Sequence, residues 1–144
     1  MASLESQIQD YIVANVDDTS LPGLAIADTE FVVYLAAEYE EIPTRDRSII
    51  VTLGDTDPFE AGDHPQREVT IEIDVRALDY EEAREMAQSI EELLHVDSEN
   101  EGIQNTELSD GMFAYYGFLT SGPAYAHTDE SGRHIIYADY LITI

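Results

Sequence analysis

The sequence predicts an α+β fold, with one main, mostly antiparallel sheet and two helices packed on one face of that sheet. Of the 144 residues, 44% are hydrophobic, and they recur with regular periods, so we expect the chain to fold. The periodic segments follow in the order helix, strand, strand, strand, helix, strand, strand. That order favours helices collected on one side of an antiparallel sheet, and the length predicts a single domain over residues 1–144.

The first part of the chain contains one predicted helix and two predicted strands. The helix covers residues 4–16, where apolar side chains recur at helical spacing: Leu4, Ile8, Tyr11 and Ile12. Residues 31–36 are β-branched and aromatic and predict a strand, whereas residues 37–41 leave a helical interpretation open. The apolar run 48–53 has the length of a strand, and the turn-rich stretch 55–65 follows it.

The clearest strand and the clearest helix are neighbours in the middle of the chain. Over residues 67–77 apolar and polar residues alternate strictly, which predicts one buried face and one wet face. Asp79 is placed to cap the next helix, and Glu82 completes a capping-box-like pair. The helix ends near His95, and the polar stretch 97–111 connects it to the next strand. Its apolar positions are Ala83, Met86, Ala87, Ile90, Leu93 and Leu94.

The last two predicted strands, residues 112–120 and 135–144, are apolar on both faces. Residues 121–123 resemble a turn, and residues 129–132 form a second one in which Gly132 can adopt a positive φ. Either helices cover one side of these strands and another subunit covers the other, or part of the sheet is exposed. Because a monomer seldom exposes so large an apolar surface, we expect a homo-oligomer.

Acidic residues dominate the charge of the chain. It has 31 Asp and Glu against 6 basic residues, all arginine, and its formal charge is −25. Such a chain neither neutralises phosphates nor binds an anionic membrane surface, which excludes nucleic-acid-binding and membrane-binding proteins. It has no apolar run of membrane-spanning length, and residues 1–10 lack the pattern of a signal peptide. We therefore expect a soluble protein that stays where it is made.

The acidic residues are spread along the whole chain, and lysine is absent. This pattern favours adaptation to a salt-filled cytoplasm, where a Debye length of about 3 Å at molar salt screens self-repulsion. An acidic tail, a calcium buffer or a mimic of nucleic acid are the alternatives, and each of them predicts clustered acids. The sequence therefore predicts an extreme halophile as the host.

The sequence contains no motif for catalysis, for a cofactor or for a metal. Cysteine is absent, and the histidines lack catalytic or metal-ligand spacing: His64, His95, His127 and His134. Asp55, Asp57 and Asp63 crowd one loop. An EF-hand starting at Asp55 fails, because Glu60 stands where glycine is required and Gln66 where glutamate is required. We therefore predict no enzyme activity, no cofactor and no metal site.

Two stretches of the sequence carry a family resemblance. The strand at residues 69–77 leads through Asp79 directly into the helix that ends near His95. Near the end of the chain, Gly122-Pro123 and then residues 129–133 lead into a final aromatic strand. With its amphipathic N-terminal helix followed by strands, the chain resembles the tail terminator (tail completion, minor capsid) proteins of tailed viruses over most of its length.

The resemblance implies a virion structural protein without catalytic residues or cofactors. Its subunits form a ring, usually a hexamer, that caps the head-proximal end of the tail tube, stops tube polymerisation and joins the tail to the neck. The implied partners are further copies of the chain, the tail tube protein and a neck or head-completion protein. Genome DNA passes through the lumen without specific binding, and no membrane takes part. The implied location is the tail–neck junction of a virus of a halophilic archaeon, after assembly in the host cytoplasm.

The predicted subunit or partner interface combines the two doubly apolar strands with the acidic loop. Its candidate residues are Phe113, Tyr115, Tyr116, Phe118, Tyr137, Tyr140, Ile142, Asp55, Asp57 and Phe59. The alternative is that the apolar double faces are core beneath the helices. Because carboxylates repel phosphate, we also expect a lumen of net negative charge. A lumen lined mainly by arginines would contradict this expectation: Arg45, Arg47, Arg67 or Arg76.

Other classes of function remain open. Another head–tail joining or neck protein, or a cellular interaction domain, would share the tendency to form a ring or dimer. A halophilic cytoplasmic enzyme would need a pocket with convergent polar groups, and the sequence shows no motif for one. A discrete closed ring in molar KCl favours the tail terminator.

Overall fold

Two helices and six strands lie in the part of the chain that the structure, a computed structural model, describes: residues 4–15, 31–35, 47–57, 68–108 and 111–144. The helices are α1 (Leu4–Asn15) and α2 (Tyr80–Leu94). The strands are β1 (Phe31–Leu35), β2 (Arg47–Asp57), β3 (Glu68–Ala77), β4 (Gln104–Glu107), β5 (Phe113–Thr128) and β6 (His134–Thr143). Within these ranges, neither helix is long and apolar enough to cross a membrane.

The six strands form one sheet in the order β1-β2-β3-β6-β5-β4. β1 runs parallel to β2, and every other neighbouring pair is antiparallel. The central pair, β3 and β6, keeps one register without a break, from Glu68 opposite Thr143 to Ala77 opposite His134. The predicted α+β fold with one main, mostly antiparallel sheet is confirmed.

Both helices pack on the same face of the sheet. α2 lies over β3, β5 and β6, and α1 lies over β1 and β2. Every second residue of β3 is buried, as its alternation predicted, and Ile71 is fully buried. Ile8 and Ile12 of α1 are fully buried in the same cluster. The two helices and one sheet face therefore share one core. Each fully buried apolar side chain in it stabilises the fold by about 1.5–3 kcal/mol.

The ends of α2 and the last turn follow the sequence closely. The Asp79 carboxylate accepts a hydrogen bond from the Glu81 N–H at 3.1 Å, which satisfies a free donor of the first helical turn. In the turn between β5 and β6, Asp129 Oδ1 accepts from the N–H groups of Ser131 and Arg133, both at 2.9 Å. Gly132 has φ of 84° there. The predicted cap at Asp79 and the predicted turn are confirmed, whereas the part of Glu82 in a capping box stays a prediction.

Two predictions along the chain were wrong. β4 lies inside the polar stretch 97–111, which was predicted to be a connection. Its four residues are mostly exposed, so no apolar alternation marked it as a strand. Residues 121–123 do not form a turn: β5 continues through them to Thr128, with a cis Gly122–Pro123 peptide bond. The ladder between β5 and β6 continues across this segment with shifted register, and pairing between strands overrode the local turn signal.

Candidate interaction surfaces

β5 carries the densest group of exposed apolar side chains in the described part of the chain. Phe113, Tyr116, Phe118 and Tyr125 are between 38% and 46% exposed, and they are four of the eight large apolar side chains that are exposed there. Three of the four belong to the interface predicted from the sequence. Aromatic side chains on a surface are typical of contacts between proteins, so β5 is the first candidate surface.

The aromatic rings of β5 are ordered against one another. The rings of Tyr116 and Phe118 stack with their centroids 5.9 Å apart, and Phe113 meets Tyr115 edge to face at 4.9 Å. Phe118 lies opposite Leu141 in the register with β6. Since the flanking residues of Leu141 are buried under α2, Phe118 and Leu141 are on the sheet face away from the helices.

The interface predicted on β6 needs a correction. Tyr140 and Ile142 are fully buried in the core under α2, so their side chains do not reach a surface that a neighbour contacts. For these two residues the predicted interface role is wrong, and the alternative of core packing is correct. Tyr137 lies on the opposite face and is half-buried.

The acidic loop predicted as part of the interface is described only in part. The backbone of Asp55 and Asp57 belongs to the end of β2, beyond a register shift that follows Leu53. Asp57 lies opposite Glu68 in the ladder with β3. Phe59 lies outside the described residues. The interface role of this segment stays a prediction.

β5 also lies within the longest stretch of the sequence that has no charged residue. Residues 111–128 contain no Asp, Glu, Lys or Arg, in a chain with 31 acidic and 6 basic residues. Most side chains of the strand are nevertheless exposed. An exposed strand without charge is unusual on so acidic a chain, and it separates this surface from the rest of the molecule.

The outer edge of β5 is paired along only part of its length. β4 pairs with the first part of the strand. Farther along, the Gly117 N–H donates to the Ile103 carbonyl at 3.0 Å, and the Leu119 N–H donates to His95 Nδ1 at 2.9 Å. Beyond Leu119, none of the described residues pairs with this edge of β5 in the sheet. Sequence reasoning missed this edge because residues 121–123 resemble a turn.

A polar cavity of about 270 Å³ lies on the sheet face away from the helices. Its lining residues are Glu72, Asp74, Arg76, Ala126, His127, Asp129, Ile135 and Tyr137. Burial is the main cause that raises the pKa of Asp74 to about 6, and the charge of Glu72 comes next. Asp139 adds to the rise and Arg76 opposes it. Asp74 Oδ1 is buried and has no hydrogen-bond partner among the described residues.

One carboxylate that lines this cavity, Asp129, holds two arginines. Asp129 forms ion pairs with Arg133 at 2.7 Å and with Arg76 at 3.3 Å, and Arg133 is almost fully buried. Burial alone would raise the pKa of Asp129. The backbone and side-chain hydrogen bonds from Arg133 outweigh it, so the pKa of Asp129 is lowered. Both guanidinium groups therefore serve the fold of this hairpin.

A second groove, of about 230 Å³, lies between α2 and the outer half of β5. Tyr80 and Tyr125 meet edge to face across one end of it, with centroids 5.5 Å apart. The Tyr125 hydroxyl lies 3.0 Å from His134 Nδ1. Tyr80 is the first residue of α2, and nothing in the sequence marked it as part of a surface. Tyr125 reaches it because β5 continues beyond the predicted end of the strand.

The metal-ligating side chain types of the described residues form no metal site. Among residues 4–15, 31–35, 47–57, 68–108 and 111–144, no three His, Asp or Glu side chains are placed to hold a metal ion. Two of the three histidines in those ranges have structural contacts: His95 accepts from the backbone of β5, and His134 lies against Tyr125. The third, His127, lines the cavity on the sheet face away from the helices. The exposed aromatic side chains of β5 are suited to contact another protein.

Comparisons with known proteins agree with this picture. The family model described as bacteriophage tail terminator protein matches residues 23–144. A chain in the solved structure titled "Virion of native gene transfer agent (GTA) particle" is similar, with a TM-score of 0.59 and 16% sequence identity over 98% of this chain and 93% of that one. At this identity the likeness shows the fold. No curated protein matches the chain. Because the family match spans far more than half of the sequence, the chain belongs to the bacteriophage tail terminator protein family.

Proposed function

We propose that this protein caps the head-proximal end of a viral tail tube as a ring, stops tube polymerisation and joins the tail to the neck. The observation that carries the proposal is the family match over residues 23–144. The ring consists of copies of this chain, six in the usual arrangement. Its other partners are the tail tube protein on one side and a neck or head-completion protein on the other.

The architecture of the sheet supports a ring. Contacts that close a ring join two different patches of the same subunit. The sheet has two different edges, with β1 at one end and β4 beside β5 at the other. β1 is a parallel edge strand of five residues, and β5 is an uncharged strand of 16 residues. Two unlike edges suit a head-to-tail contact better than a two-fold one.

The charges support passage of the genome without specific binding. Arg76 and Arg133 are held by Asp129, and Arg84 pairs with Glu81 at 3.0 Å. A positive side chain that is already paired with a carboxylate contributes little to phosphate binding. We therefore expect a lumen of net negative charge. A structure of the assembled ring with unpaired arginines along its lumen would contradict this.

We further propose that the host is a halophilic archaeon, and that the ring is assembled in its cytoplasm before it joins the virion at the tail–neck junction. The support is compositional: a charge of −25 without a single lysine. At molar salt the Debye length is about 3 Å, so subunits this acidic can approach one another. At about 0.1 M it is roughly 10 Å, and repulsion opposes both folding and ring closure.

Tail tube protein polymerised in molar KCl with and without this chain tests the proposal. We expect shorter tubes, each with a ring at one end in electron micrographs, and a count of capped ends that rises with added chain. Chain added after polymerisation is the control, since it should bind tube ends without shortening the tubes. The same assay in about 0.1 M KCl should lose both the capping and the far-UV circular dichroism of the chain.

The same assay separates a terminator from another neck component. A neck protein that only bridges tail and head leaves the length of growing tubes unchanged. Unchanged tube lengths and bare tube ends in molar KCl, at every ratio of the two proteins, would therefore remove the proposed function. Full activity at low salt would remove only the halophilic host.

A further inference from the structure

We propose that the outer edge of β5 over residues 120–128, called the β5 edge below, is the surface on which a second copy of this chain docks. The inference rests on the proposed ring, because it assigns the contact by which the ring closes. It extends the interface predicted from the sequence, whose part in this strand ended at Leu119. Three features of the described residues carry it: free backbone, absence of charge and exposed rings on both faces.

The β5 edge offers backbone groups for strand pairing. On its inner side β6 pairs with β5 as far as Thr128, opposite His134. On its outer side, pairing with described residues ends at Leu119. An exposed edge strand presents unpaired N–H and C=O groups to any strand that lies beside it. A neighbouring copy that adds a strand here continues the sheet.

Charge favours a second copy as the occupant. Each copy carries −25, so most surfaces of two copies would bring carboxylates together. Salt screens their repulsion, but it does not remove the cost of burying a carboxylate without a partner. Residues 111–128 have no carboxylate to bury, so the β5 edge is where another copy, as acidic as the first, approaches at the lowest cost.

Exposed rings lie on both faces of this strand. Tyr125 lies opposite Ile136, on the helix face, and contacts Tyr80. Tyr116 and Phe118 stack on the other face. A partner that covered only one face of the sheet would leave the rings on the other face in water. A strand added at the edge has side chains on both faces of the sheet, so it can contact both groups of rings.

Pro123 restricts how the neighbour can pair. Proline has no backbone N–H, so the edge cannot form an unbroken ladder. Prolines in edge strands oppose indiscriminate pairing. Among the other residues of the edge, only those whose N–H points away from β6 can donate to a neighbour, so few registers let a neighbouring strand pair well. The edge is therefore suited to one defined partner.

A carboxylate placed on the β5 edge tests the contact. Ser121 is exposed and lies within the edge, so Ser121→Glu introduces a charge that the contact would bury. Ser121→Gln has nearly the same size without the charge. Ala14→Glu adds the same charge on the exposed side of α1, over the opposite end of the sheet. Self-association is measured by light scattering and sedimentation in molar KCl, with circular dichroism to check the fold.

We expect Ser121→Glu to weaken self-association about tenfold or more, because like or unpaired charges are costly inside a contact. Ser121→Gln and Ala14→Glu should stay within about twofold of the original chain, since neither buries a carboxylate. In the unsubstituted chain, hydrogen exchange of the β5-edge amides that point away from β6 should slow as protein concentration rises. Exchange at the exposed N-terminal half of α2 should not change.

Three results would overturn the inference: a chain that stays monomeric at every concentration in molar KCl, equal effects of Ser121→Glu and Ala14→Glu, or β5-edge amides whose exchange does not depend on concentration. The tube assay keeps this separate from the proposed function. If the unsubstituted chain still shortens tubes, only the docking surface is lost. If it leaves tubes unchanged while the β5 edge still self-associates, only the terminator role is lost.

Discussion

β3 and β5 both pair with β6, one on each side of it, and they differ in almost every other respect. β3 is a central strand with strictly alternating burial and one unbroken register with β6. β5 lies near the sheet edge, is exposed along most of its length and shifts register with β6 three times. β3 alternates polar residues, four of the five charged, with apolar ones, whereas β5 has no Asp, Glu, Lys or Arg.

The difference shows two separate uses of apolar residues in one sheet. In β3 they fill the core, and the polar face between them keeps the strand in a single register. In β5 four aromatic side chains lie exposed on the surface, where another protein can reach them. A small acidic subunit thus separates the strand that stabilises it from the strand on which we propose that a second copy docks.

The largest expected effect is on the stability contributed by β3. Ile71 is fully buried in the core, and Ile71→Ala should lower the free energy of unfolding by about 2–5 kcal/mol, because it removes packed methyl groups and leaves a cavity. Phe113→Ala on β5 is the matched substitution, at 43% exposure, and it should cost about 1 kcal/mol or less. Urea unfolding in molar KCl, at one fixed protein concentration, measures both values.

Equal losses of unfolding free energy for the two substitutions would contradict the conclusion that β3 fills the core while the rings of β5 remain on the surface. A large loss for Phe113→Ala that disappears on dilution would instead locate its contribution in the contact between copies, since only that contribution depends on protein concentration. The pair of variants therefore reports on the core and on the surface separately.

The same contrast explains which parts of the fold were predictable from the sequence. β3 and α2 were predictable because each buries one face and exposes the other, so their periods of 2 and 3.6 are written in the sequence. Asp79 and Gly132 were predictable because caps and tight turns depend on local chemistry. β4 has neither feature. Its place is set by backbone pairing with β5, which leaves no pattern in its side chains.

The candidate surface was predictable only in part, for a related reason. The run from Phe113 to Phe118 was recognised because it is aromatic on both faces. Tyr140 and Ile142 have the same composition, yet they face α2 and are buried, since side-chain type alone does not say which face a helix covers. The β5 edge was missed because Gly122 and Pro123 are turn residues in most contexts. Only the ladder with β6 shows that the strand continues.

A smaller effect is expected where β5 does touch the core. A Cβ on Gly117 would overlap the Leu94 carbonyl oxygen and lie 3.2 Å from Ile142 Cδ1. Gly117→Ala should therefore cost about 1–3 kcal/mol of unfolding free energy, because the end of α2 has to move away. Gly132→Ala is the control: it has φ of 84° but open space around it, so only about 1 kcal/mol of backbone strain is expected.

Chemical unfolding of the two glycine variants decides whether the inner half of β5 is as tightly packed as β3. If Gly117→Ala lowers the unfolding free energy no more than Gly132→Ala, the end of α2 moves away from the added methyl group at little cost. All of β5 would then be less tightly packed than β3. The expected result confines the contrast to the part of β5 beyond Leu119, where the strand has no partner among the described residues on its outer side.

The smallest effect concerns the wet face of β3, where Asp74 is a polar residue that the fold does not fully satisfy. Burial is the first cause that raises the pKa of Asp74 from 3.8 to about 6, and Glu72 is the second. Because the folded state holds this proton more tightly than the unfolded state, stability falls as pH rises from about 4 to about 6. Asp74→Asn removes the titration, so it should be more stable than the original chain at pH 7 by about 1–2 kcal/mol, a figure reduced for partial solvent screening.

Unfolding free energies at pH 4.5 and pH 7 in molar KCl test the sign of this pH dependence. The stability gained by Asp74→Asn should be smaller at pH 4.5 than at pH 7, because Asp74 of the original chain regains its proton in the folded state.

Asp129→Asn should instead be less stable than the original chain at pH 7, because hydrogen bonds from Arg133 lower the pKa of Asp129 and stabilise its charged form. Molar salt weakens the repulsion from Glu72 and Asp139 but leaves the burial of Asp74 unchanged. A gain that persists at molar salt therefore assigns the pKa shift to burial, whereas no gain at molar salt assigns it to the neighbouring carboxylates, whose repulsion the salt screens.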